Sequence, residues 1–172
     1  MVFEFISEGP KGQIPKLIKF SETTLKGFYN GRISNCRFAM LLVGGGDTAH
    51  GGLPRLVSPP TGDNLKCTLY NLAFGDKNNE TGDIDDAVVS NNGDSEQVLA
   101  TVVWAVYAFT AVENDVWVYA TGSTKSRTRL YRMGITKYID EVKQDFLVFG
   151  LRNGEWENFE PAVEYTAFVV RR

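Results

Sequence analysis

The 172 residues of this chain can bury one sizeable core, and nothing in that length asks for a second domain. Hydrophobic residues at 43%, charged residues at 23%, and eleven Phe, seven Tyr and three Trp set the chain apart from disordered sequences. A formal net charge of −3 excludes a global pull towards DNA or anionic membranes, so any nucleic-acid site has to be a local patch.

The opening residues, Met1 to Glu8, lack a basic segment followed by an apolar one and do not read as a signal peptide. The longest uncharged apolar stretch, Gln97 to Val112, is shorter than the ~20 residues a membrane-crossing helix needs, so no membrane partner is expected. Cys36 and Cys67 have no CxxC spacing and read as two free thiols in a reducing cytoplasm.

In chain order, Val2–Ile6 and Ile14–Phe20 are strand-like and are joined through the turn formers Glu8 to Gly12. Residues 31–43 are mixed and end in the apolar run Phe38–Val43. The breaker-rich stretch from Gly44 to Gly62 reads as a long surface loop. Lys66–Phe74 resumes as a strand, an acidic loop follows Gly75-Asp76, and Ile84–Ser90 suggests another short strand. Asp94, with Gln97 three residues on, predicts an N-cap close to a capping box. The segment Ser95–Glu113 is apolar almost all round, and its length argues for a buried central helix.

Val116–Ala120 is strand-like and runs into the turn Gly122-Ser123-Thr124, after which a basic segment shows helical spacing. Thr136–Lys143 reads as a second short helix with Ile139 and Val142 inward. Asn153-Gly154 between Phe146–Arg152 and Glu155–Phe159 is a two-residue hairpin signal, and Tyr165–Val170 reads as a last strand. The expected class is α+β: a single domain over residues 1–172, with a mainly antiparallel sheet packed around one long apolar helix. Two short helices after the Gly-Ser-Thr turn and a C-terminal hairpin complete it.

Four runs together resemble an uncharacterised bacterial family, a domain of unknown function. They are Ser7-Glu8-Gly9-Pro10-Lys11-Gly12, Tyr70-Asn71-Leu72-Ala73-Phe74-Gly75-Asp76, Val98-Leu99-Ala100-Thr101-Val102, and Gly122-Ser123-Thr124 with Arg127-Thr128-Arg129-Leu130-Tyr131. The resemblance implies a small cytoplasmic α+β domain, and it carries over no activity and no catalytic residue. It also implies that residues 31–65 are an insertion or long loop, since family members are typically shorter there.

The basic segment after the Gly-Ser-Thr turn carries the first candidate chemistry. If Thr124 caps a helix, Lys125, Arg129 and Arg132 share one face, while Leu130, Tyr131 and Met133 point towards the core or its edge. Arg127 sits in the first turn, so a phosphate could meet backbone amides, the Ser123 and Thr124 hydroxyls, and Arg127 and Arg129 together. The plainer reading is a capped surface helix whose arginines pair with acids elsewhere in the chain.

Those acids are Asp76, Glu80, Asp83, Asp85, Asp86, Asp94 and Glu96. As a calcium loop they fail: the glycine falls one place late, at Gly82, and Ala87 stands where a bidentate Glu is required. Magnesium held by Asp83, Asp85 and Asp86, or ion pairs within the chain, are the remaining readings. His50 is the only histidine and lies in the Gly-rich loop, which excludes zinc centres built on several histidines. Gly44-Gly45-Gly46-Asp47 lacks the Gly-Lys-Ser/Thr ending of a phosphate-binding P-loop. The aromatics, Trp104, Trp117 and Trp156 among them, are expected to pack inside rather than form a base-stacking platform.

Three functions follow. The first is a non-enzymatic binding module of the bacterial cytoplasm, meeting a phosphate-bearing ligand or nucleic acid at Ser123, Thr124, Arg127 and Arg129, in a regulatory, toxin–antitoxin or phage-defence setting. The second is a metal-assisted phosphoester-cleaving enzyme in which Asp76, Asp85 and Asp86 hold magnesium. The third is a protein-interaction domain whose contact surface is the loop at residues 44–62. The leading reading needs no cofactor and no resident metal.

Overall fold

The computed structural model describes residues 1–23, 68–85 and 92–172. Its first hairpin joins β1 (Val2–Gly9) to β2 (Gly12–Thr23) through Pro10-Lys11, with Gly9 and Gly12 as closing partners. Along β1 the side chains alternate as a pleat requires: Phe3, Phe5 and Ser7 turn inward, while Val2, Glu4, Ile6 and Glu8 are exposed. β3 (Thr68–Lys77) runs antiparallel to β2, with Thr23 opposite Leu69 at one end and Lys16 opposite Asp76 at the other. Of the strand expected over Ile84–Ser90, Ile84–Asp85 forms β4, which pairs with the end of β3, and residues 86–90 lie outside the described residues.

α1 (Ser95–Val112) then crosses over to β5 (Val116–Ala120), which lies parallel to β3. α2 (Lys125–Lys137) and α3 (Ile139–Asp145) follow, then the hairpin of β6 (Leu147–Arg152) and β7 (Glu155–Asn158), and finally β8 (Ala167–Arg171). The strand order is β1-β2-β3-β5-β8-β6-β7, with β4 beside β3, and every pair except β3–β5 is antiparallel. The fold is therefore α+β, a mostly antiparallel sheet with three helices among the described residues and a strand hairpin near the C-terminus. That hairpin turns through Asn153 and Gly154 at φ of 52° and 83°, the positive pair that a two-residue turn demands and that Asn-Gly supplies.

Residues Val98, Val102, Ala105 and Phe109 recur at helical spacing along α1 and are buried against Ile18, Phe20, Leu72, Val116 and Val118 of the sheet. Phe109 stacks on Phe20 with ring centroids 4.1 Å apart, and full burial of such a side chain stabilises by about 1.5–3 kcal/mol. A second cluster gathers Tyr131, Phe146, Val148, Phe159, Tyr165 and Phe168 beneath α2 and α3. Contrary to the expectation that this stretch is too short, α1 is by length and composition sufficient to cross a membrane, with a mean hydropathy of 1.3. Here its apolar stripe is spent on the sheet.

Four local expectations differ from the fold. Trp104, expected to pack inside, is 60% exposed on α1 and meets Phe3 edge-on. Asp94 does not cap α1: its side chain makes no cap hydrogen bond and lies 3.8 Å from Lys16 Nζ instead. Gln97, the expected capping-box partner, accepts from the Glu8 amide at 3.3 Å, so tertiary contacts have taken both groups. α2 runs on to Lys137, past the expected helix start at Thr136. Its inward residues are Thr128, Tyr131 and Gly134, leaving Leu130 and Met133 on the surface. The readings made for Cys36, His50, Asp86, Cys67 and the stretch 31–65 fall outside the described residues.

Candidate functional site

α2 begins as its sequence predicts. Thr124 is extended at φ −134° and ψ 158°, and its hydroxyl accepts from the Arg127 amide at 3.2 Å. The Gly122 amide donates to Thr128 Oγ1 at 3.2 Å, and the same hydroxyl donates to the Thr124 carbonyl at 3.2 Å. Gly122 has no alternative here, because a Cβ would stand 2.3 Å from the Thr128 nitrogen. The Gly-Ser-Thr turn is thus a closed structural unit. By helix geometry it leaves the first-turn amides of Lys125 and Ser126 without intrahelical acceptors.

Beside this helix start lies an open groove of about 1060 Å³. Ser123, Thr124, Lys125 and Arg129 line it from the turn and α2. Arg132 joins them on the same face, while Arg152, Asn153 and the segment from Ala162 to Thr166 form the opposite wall. Four cations therefore face one lining acid, Glu164, in a chain whose net charge is negative. Two of them are partly engaged. Arg132 Nη1 donates to the Val163 carbonyl at 3.2 Å and lies 3.8 Å from Glu164, and Arg152 lies 3.8 Å from Glu157.

Lys125 and Arg129 are exposed, and neither has an ion-pair partner among the described residues. Arg127 is placed differently from its neighbours: its Nη1 donates to Ser123 Oγ at 2.7 Å, and it does not line the groove. Tyr165 is the lining aromatic, but it is buried, donating to the Asn158 carbonyl at 3.3 Å and accepting from the Glu160 amide at 3.1 Å. Burial pushes its phenol pKa above the ordinary value. The groove thus offers charge and hydroxyls, with no exposed ring among the described residues on which a base could stack.

Asp76, Asp83, Asp94 and Glu96 pair with lysines. Asp76 Oδ1 lies 2.6 Å from Lys16 Nζ with both side chains nearly buried, and Asp83 lies 3.1 Å from Lys19. Lys77 reaches back to Glu4 at 2.8 Å, and Asp85 sits opposite Asp76 in the β3–β4 register. Among the described residues no group of three or more His, Cys, Asp or Glu is arranged to hold a metal ion. What the sequence did not reveal is the far wall: Arg152 and the 162–166 segment reach the groove only through the pairing of β6 with β7 and β8.

This chain belongs to the DUF6934 family, a family of unknown function, whose model matches residues 61–172. The match takes in the stretches at 70–76, 98–102 and 122–131, and with them the turn and α2 face of the groove, and it begins after the run at 7–12. Comparison with curated proteins and with solved structures returned no match.

Proposed function

We propose that the domain is a non-enzymatic binding module that takes a phosphate-bearing ligand or nucleic acid in the groove beside α2. Lys125 and Arg129 supply the charge, and Ser123, Thr124 and the first-turn amides supply hydrogen-bond donors. Arg127 holds the Ser123 hydroxyl in place, while Arg132 and Arg152 shape the walls. In the bacterial cytoplasm that the resemblance implies, nucleotides and RNA are abundant carriers of phosphate.

The observation that carries this reading is a pair of cations with no acid partner among the described residues. The chain is acidic overall, yet Asp76 and Asp83 go to Lys16 and Lys19, while Lys125 and Arg129 face an open groove. Exposed like charges held side by side on a helix repel one another, an arrangement relieved by a bound anion.

Titration of a fluorescent single-stranded RNA and of a fluorescent nucleotide at rising salt tests the reading. Binding should weaken steeply, with a log–log slope for RNA of about −0.7 per phosphate contacted. The double variant Lys125→Ala/Arg129→Ala should lose it. Absence of binding to either probe at low salt sinks the proposal.

A further inference from the structure

The second apolar cluster is not fully packed. Between the sheet and the three helices lies a cavity of about 100 Å³. Leu99, Val103 and Val106 of α1, Ile135 of α2, Val142 of α3 and Phe168 of β8 contribute to its wall. Close-packed interiors leave few voids larger than a water molecule, so a cavity of this size needs an account.

Its chemistry is one-sided. Polar atoms contribute almost nothing to its surface. Tyr107 lines it with ring carbon, while its hydroxyl donates to Asp145 Oδ2 at 2.9 Å. Water inside would find no partners for its hydrogen bonds, and apolar cavities of about 150 Å³ stay dry and take up benzene or xenon. A charged or strongly hydrogen-bonding guest would lose its hydration without compensation. Leu99, Val103, Tyr107, Ile135 and Val142 are only half-buried, which places the cavity's open side between α1 and the α2–α3 pair.

We infer that this cavity is a binding site for a small uncharged apolar molecule, of the size of a single ring or a short alkyl chain. Size, lining and an open side together select that class of guest. The site shares no charged residue with the groove beside α2, and the inference stands whatever that groove binds.

The test uses the whole chain, ¹³C-labelled at its methyl groups, titrated with benzene. The shifts of the Leu99, Val106 and Ile135 methyls should saturate, with direct benzene-to-methyl NOEs. Ala120→Leu, which fills the cavity from β5, and Val103→Phe, which closes its open side, should each weaken binding at least tenfold. Linear, unsaturable shifts in the unsubstituted protein overturn the inference. So do shifts that persist unchanged in either folded variant, because the benzene is then bound elsewhere. Should both variants fail to fold, the NOEs alone decide: none to these three methyls means no site.

Discussion

Gly122 and Thr128 hold each other in place: the glycine amide donates to the threonine hydroxyl at 3.2 Å, and a Cβ on the glycine would stand 2.3 Å from the Thr128 nitrogen. The turn that presents Ser123 and Thr124 to the groove therefore rests on a close approach of two backbone segments. Gly122→Ala must push α2 away from β5 or break the Thr128 bond. We expect a loss of about 2 kcal/mol, within the range for overpacked sites, read as a lower urea midpoint with an unchanged slope. A variant as stable as the parent contradicts this account of the turn.

The charges lining the groove should separate into two kinds. Lys125→Ala and Arg129→Ala remove exposed side chains with no ion-pair partner among the described residues, so stability should stay within ~0.5 kcal/mol of the parent. Arg132→Ala loses the bond to the Val163 carbonyl and should cost about 1 kcal/mol. Thermal melts of the three single variants check this ordering. Equal losses in all three would mean that the groove cations hold the fold together.

Lys16 is buried between two carboxylates, at 2.6 Å from Asp76 and 3.8 Å from Asp94. Removing the shared cation leaves two acids without it, so Lys16→Met should destabilise by roughly 3 kcal/mol or more. Asp94 Oδ2 is buried and accepts no hydrogen bond, whereas Asp76 Oδ1 accepts from Lys16. Asp94→Asn should accordingly cost less than Asp76→Asn. Denaturant midpoints for the two variants give the comparison directly, and the reverse order refutes it.

Alkali should unfold the domain through its tyrosines. Tyr70, Tyr107 and Tyr165 all have raised phenol pKa values, from burial first in each case; acid neighbours add to the shift at Tyr70, and the bond to Asp145 adds to it at Tyr107. A raised folded value means that the folded state favours the neutral phenol. The stabilisation is then complete below the unfolded value of about 10 and is lost as pH climbs through the higher folded values. Tyrosinate absorbance should lag behind that of the urea-unfolded chain, and Tyr107→Phe should remove part of the lag. Coincident titration curves would count against these environments.

Much of the fold was legible because local signals and tertiary packing agree. Asn153-Gly154 suits the left-handed turn of β6 and β7, Thr124 caps α2, and the long apolar run forms α1. The failures occur where distant residues intervene. Asp94 is a good cap by type, but Lys16, far earlier in the sequence, lies beside its carboxylate. Leu130 and Met133 are apolar, yet the inward stripe of α2 follows Thr128, Tyr131 and Gly134. Half of the groove was readable as a run of cations at helical spacing. The other half, Arg152 and the 162–166 wall, exists only once β6, β7 and β8 have paired.

Thr23 and Leu69 sit opposite one another in the β2–β3 ladder. The end of β2 and the start of β3 thus lie at adjoining positions, about 5 Å apart by ordinary strand spacing. Such a junction is indifferent to how many residues are threaded through it, since closing a longer loop costs only logarithmically more entropy. The same ladder would accept a tight turn, a long excursion or a grafted foreign peptide between those two positions. That makes the junction a natural point at which an experimenter can install cargo without rewriting the scaffold.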